Sequence, residues 1–105
     1  MKYLKFVVET NALGSVSANV YRFPVYEFES GREVPLTASL PDHYAGYVSP
    51  IYARLSDDGE AIEIISKQYG DGRLPLDDDS ARWHSPTIGL SYACCQAFVN
   101  ITEQD

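Results

Sequence analysis

Apolar and polar residues alternate at period two along much of the chain, the signature of strands with one face buried and one in water. The alternation is cleanest from Val48 to Tyr69, VSPIYARLSDDGEAIEIISKQY. Two β-branched and aromatic segments there flank Asp57-Asp58-Gly59, a strong hairpin signal. With Asp58-Gly59 as a two-residue turn, Leu55 faces Ile62, Ala53 faces Ile64, and Arg54 lies opposite Glu63. The four apolar residues then share one face and the charge pair takes the other. A three-residue loop with Gly59 in a left-handed bulge slips the register by one and sets Arg54 against Ile62. The first register satisfies both charge and hydrophobicity.

The remaining elements follow from the same pattern. In 2–10, Leu4, Phe6 and Val8 fall on one side and Tyr3, Lys5, Val7 and Glu9 on the other. A turn around Gly14 leads to a second strand region, 16–29, which pairs back as a hairpin. Its alternation shifts at Pro24, so it is an edge strand or two strands meeting at a bulge. As an exposed edge it leaves sheet-to-sheet dimerisation open, although Pro24 and the acids at its end argue for protection, and the oligomeric state does not follow from the sequence. Residues 33–50 hold too many prolines and glycines for a long element, with a short helical turn expected at Pro41–Tyr44. Strands are expected at 47–56 and 60–69. A loop follows over 70–80, then one helical turn at Asp77–Trp83 with aspartates at its N-terminal end. The segment 86–101 is rich in Ile, Val, Thr, Tyr, Phe and Cys and holds Gly89. That composition favours a strand, bent or split near Cys94-Cys95.

These elements predict a mainly β fold: a single small antiparallel domain over 1–105, a sandwich or partly open barrel of about five strands. The alternative is α+β, with residues 86–102 as a C-terminal helix on an antiparallel sheet.

Composition adds a core and a charge map. The chain has 105 residues, 45% of them hydrophobic, enough for one folded domain. No run approaches the ~20 apolar residues that span a bilayer. The N-terminal MKYLKFVVETN reads as a strand, not a signal peptide, so a cytoplasmic protein is expected. The net charge of −7 is unevenly spread. Residues 1–56 balance five acids with five bases, whereas 57–79 carry eight acids against Lys67 and Arg73. Phosphate binding needs clustered Lys and Arg, and the bases here are scattered, which disfavours direct nucleic-acid contact.

Candidate chemistry is sparse. Cys94 and Cys95 are adjacent, without a CxxC or second pair, so they neither bridge nor frame a zinc site. A nucleophilic thiol would need His43 or His84 beside it, and no spacing places either there. Asp71 and Asp77-Asp78-Asp79 do not match an EF-hand loop. Asn100-Ile101-Thr102 is a formal glycosylation sequon, expected to be a chance match without a leader. No metal or cofactor is expected.

What remains is a binding surface. The expected function is a small acidic protein-binding module, an inhibitor of the anti-defence or immunity type. Its expected partner is a protein with a basic surface, such as a nuclease or nucleic-acid-binding complex, with no membrane contact. The contact residues are then Asp57, Asp58, Glu60, Asp71, Asp77, Asp78 and Asp79. A second candidate surface is aromatic: Tyr44, Tyr47 and Tyr52. The competing readings are a small enzyme using Cys94 or Cys95 with a histidine, or a structural subunit of a larger assembly.

Overall fold

The computed structural model describes residues 2–12, 15–40, 49–85 and 94–100. Among these residues there are eight strands: β1 (Tyr3–Ala12), β2 (Ser15–Pro24), β3 (Val34–Pro35), β4 (Tyr52–Leu55), β5 (Ala61–Ile65), β6 (Gly72–Pro75), β7 (Trp83–His84) and β8 (Cys94–Asn100). They form two four-stranded sheets, β2-β1-β8-β7 and β3-β4-β5-β6, with every strand pair antiparallel. The fold is mainly β, and the described strands do not close a barrel. No described helix is long and apolar enough to cross a membrane.

Alternation explains how the sheets meet. Leu4, Phe6 and Val8 of β1 are fully buried, and Val99 of β8 and Trp83 of β7 join them from the same sheet. The second sheet answers with Ala53, Ile62, Ile64 and Leu74, while Phe28, Leu36, Leu40 and Ile51 fill in from the connections. Each large side chain taken out of water here contributes roughly 1.5–3 kcal/mol before the cost of ordering it.

The hairpin register is Leu55↔Ile62, Arg54↔Glu63 and Ala53↔Ile64, the first of the two expected from sequence. The N-terminal hairpin pairs ten residues on each side, from Tyr3↔Pro24 to Ala12↔Ser15. β2 is an edge strand, and it ends at Pro24 instead of running to Glu29. Val25 donates one last ladder bond to the Lys2 carbonyl (3.0 Å), and the chain then turns through a 3-10 segment, Val25–Glu27. Pro24 stands opposite Tyr3, where an N–H would face away from β1, so its missing donor costs this ladder nothing and the pairing ends one residue later, where the chain turns.

Other boundaries also move. The strand expected at 60–69 stops at Ile65, because residues 66–70 turn. Tyr69 N–H donates to Ser66 Oγ (2.9 Å), Gly70 N–H donates to the Ser66 carbonyl (3.1 Å), and Gly70 takes φ +94°. The expected 70–80 loop contains β6, and the expected helical turn at Asp77–Trp83 is replaced by turns leading into β7. Between β2 and β4 the chain forms β3 and a second 3-10 segment, Leu36–Ser39. At the C-terminal end 94–100 is a strand, so the helix alternative fails over those residues. Residues 86–93 and the turn expected at Pro41–Tyr44 lie outside the described residues.

Trp83 ties the two sheets together. It is 6% exposed, its Nε1–H donates to the Gly70 carbonyl (3.1 Å), and its ring lies against Gly72.

Candidate functional site

The turn between β4 and β5 uses four loop residues, not two. Ser56 N–H donates to the Ala61 carbonyl (2.9 Å) and Gly59 N–H to the Ser56 carbonyl (2.9 Å), so Asp57 and Asp58 sit at the centre of the turn. Gly59 follows at φ +73°, where an L side chain would be strained. Two- and four-residue loops leave the same partners opposite each other, which is why the register is as expected although the turn is not. A three-residue loop would have changed it.

Asp58 holds this loop from inside. Its Oδ1 accepts from Ser56 Oγ (2.5 Å) and from Glu60 N–H (3.0 Å), while Ser56 Oγ accepts from Ala61 N–H (3.1 Å). Arg73 Nη2 on β6 reaches Asp58 Oδ2 at 3.3 Å. The Ser56 hydroxyl, then the Glu60 amide, then Arg73 hold the Asp58 carboxyl below its ordinary value, because each favours the ionised form.

The turn after β6 is stitched to this tip. Leu76 N–H donates to the Glu60 carbonyl (2.9 Å), extending the β5–β6 ladder into the loop. Asp78 then organises its own turn, with its Oδ1 accepting from Ser80 N–H (2.9 Å) and Ser80 Oγ (2.5 Å). Those bonds, the hydroxyl first, lower the Asp78 pKa. The carboxylates of Asp57, Glu60, Asp77 and Asp79 are left exposed, with no hydrogen bond or ion pair among the described residues. Glu60 and Asp77 line a shallow groove of about 560 Å³ with Lys2, Gly59, Arg73, Pro75 and Leu76.

Asp71 does not belong to this end. It precedes β6, whereas Asp77–Asp79 follow it, and five residues of extended chain put about 17 Å between Asp71 and Leu76. Its Oδ1 accepts from Ser66 N–H (2.9 Å), closing the β5–β6 connection. Glu63 is internally matched as well. Arg54 Nε lies 2.9 Å from Glu63 Oε1, and Arg73 Nη1 lies 4.0 Å from Glu63 Oε2. Glu63 raises the Arg54 pKa above its ordinary value, by the hydrogen bond first and by charge second. Arg54, Glu63, Arg73 and Asp58 thus form an alternating charge ladder on the outer face of the second sheet.

The aromatic candidates are not brought together by any described contact. Tyr52 is half-buried on β4 opposite Ile65, and Tyr44 and Tyr47 lie outside the described residues. Tyr52 lines a groove of about 370 Å³ with Glu33, Ser49, Pro50, Ile65, Lys67 and Gln68. The cysteines occupy the ladder positions Glu9↔Cys94 and Val8↔Cys95. His84 is exposed opposite Gln96, and His43 is outside the described residues. No group of three or more metal-ligating side chains occurs among the described residues.

Two members of the acidic end escaped the sequence reading. Ser56 carries only a general signal, since Ser and Asp side chains beside a turn commonly bond the neighbouring backbone. Arg73 carries none, because its place beside Asp58 depends on β6 being a strand. Comparison of the chain with protein-family models, with curated proteins and with solved structures finds no match.

Proposed function

We propose that the protein is a binding module that docks its acidic end on the basic surface of a protein partner. That partner is of the nuclease or nucleic-acid-binding kind, and the carboxylates lie where it would otherwise hold phosphates. The observation that carries the reading is the bond from Leu76 N–H to the Glu60 carbonyl. It joins two acidic turns, distant in sequence, into one surface bearing Asp57, Glu60, Asp77 and Asp79. Asp58 and Asp78 stiffen the two turns from inside, so little freedom is lost on docking. Charges held in this way steer encounter and give association a steep salt dependence. Relative to the sequence expectation, Asp71 drops out and Asp58 and Asp78 become supports instead of contacts.

The test is affinity capture from the native host with the wild-type chain and with a D57N/E60Q/D77N/D79N variant. A partner retained by the wild type, lost by the variant and displaced by duplex DNA supports the reading. A partner that the variant still holds, or that DNA does not displace, overturns it.

A further inference from the structure

The outer edge of β2 is the longest strand edge that no described strand covers. β2 pairs with β1 through ten consecutive residues without a bulge, which makes an edge about 33 Å long. Alternate residues of an antiparallel strand turn their N–H and C=O groups away from the paired neighbour. The usual protections of such an edge are proline, charge or a bulge. Here Pro24 sits at the terminus, Glu27 and Glu29 lie beyond it, and Arg22 is the one charged residue of the strand.

We infer that this edge pairs antiparallel with β2 of a second copy of the chain, about a two-fold axis at Val20. Symmetry fixes the parity. Antiparallel neighbours are related by an axis perpendicular to the sheet, so both cores stay on the same side and inward residues meet inward ones. The register with Val20 opposite its own counterpart satisfies this. It also covers an exposed apolar side chain, since Val20 is 43% exposed on the outer face. Arg22 then meets Ala18 of the other copy and no like charges face each other. The choice of a second copy follows from charge. Each chain carries −7, and the acidic turns lie on the other sheet, leaving β2 in the neutral half where two copies approach with least repulsion. The product is one continuous sheet running β7-β8-β1-β2 into its symmetry mate. This inference does not rest on the proposed partner.

Light scattering after size exclusion, over a range of concentrations, reads the mass against the 11.7 kDa chain. The wild type is expected at twice that value. Val20→Lys sets two cations against each other at the axis and should raise the dimer dissociation constant about tenfold. Val20→Glu should do the same, and mixing the two variants should restore a dimer, because opposite charges then face across the axis. Amide exchange gives a second readout: the outward N–H groups of β2 should be protected at high concentration and exchange on dilution. A wild type that is monomeric at every concentration overturns the inference. So does a dimer indifferent to Val20→Lys, or a mixture that does not re-associate.

Discussion

Gly72→Ala should destabilise the fold although alanine is ordinarily the better strand residue. A Cβ at Gly72 would lie 2.5 Å from Trp83 Cδ1 and 3.2 Å from Cγ, against the roughly 3.5–4.0 Å of a favourable carbon contact. The indole cannot simply swing aside, because its Nε1–H is bonded to the Gly70 carbonyl and the ring is 94% buried between the sheets. Overpacking of this kind costs about 1–3 kcal/mol, and losing the Nε1–H bond would add about 0.5–1.5 kcal/mol. Against this, removing a glycine from the unfolded chain returns about 0.4–1 kcal/mol. The net is a loss of about 2 kcal/mol, or roughly 8–16 °C in Tm for a domain of this size. Trp83 is the sole tryptophan, so its emission follows urea unfolding directly. The expected result is a lower midpoint at unchanged slope, with a red-shifted native spectrum. In a cycle with Trp83→Leu, followed for all four chains by far-UV circular dichroism because the Leu variants hold no tryptophan, the alanine should cost much less than in the wild type. An unchanged or raised midpoint in Gly72→Ala, or strict additivity in the cycle, would refute the packing argument.

Other consequences follow from single contacts. Ser56→Ala removes the acceptor of the buried Ala61 N–H and should cost about 1–3 kcal/mol in urea melts. Because the Ser56 hydroxyl is the main cause of the low Asp58 pKa, the same variant should raise that pKa, read by carboxyl NMR titration. Asp58 and Asp78 are both depressed in the folded state, so their stabilisation is complete above the ordinary value of 3.8 and fades as pH falls through their folded values. Melts of wild type and of D58N taken downward from pH 5 should therefore converge in acid, and parallel curves would contradict the contacts. Phe6→Ala empties a fully buried site and should cost about 3–5 kcal/mol, read as a drop in urea midpoint. Gly59→Ala meets open space but inherits φ +73°, so it should cost about 1–2 kcal/mol through backbone strain alone.

The strands that sequence reveals are those whose alternation runs long enough to be seen. Leu4-Phe6-Val8 and Ala53-Leu55 against Ile62-Ile64 each repeat the period, and charge agrees at Arg54↔Glu63. β3 and β7 have two residues each, too few for any period, and are made by pairing with β4 and β8. β6 hides behind turn residues: Gly72 and Pro75 read as loop, yet Gly72 is there because Trp83 fills the space of its side chain, and Pro75 closes the strand. The turn at Asp57–Glu60 shows a different limit. Asp-Gly announces a hairpin but not its loop length, and here the Ser56 and Asp58 side chains select the longer loop while parity preserves the register.

The candidate site was legible only as a quantity of charge, because position in the chain is not position in space. Asp71 and Asp77 are six residues apart and would count as one acidic loop, but the intervening residues are extended as β6 and carry them to opposite ends of the sheet. Asp57 and Asp79 are far apart in sequence and come to the same end, because β5 and β6 form a hairpin whose ladder continues through Leu76 and Glu60. Arg73 also lies on β6, and its strand register puts it opposite Glu63, within reach of Asp58. One short strand therefore sorts the acids into three kinds: those neutralised on the outer face, those spent in closing turns, and the four left facing water. If β6 were displaced by one residue, Arg73 would turn inward, Leu74 outward, and the ladder, the core and the acidic end would fail together.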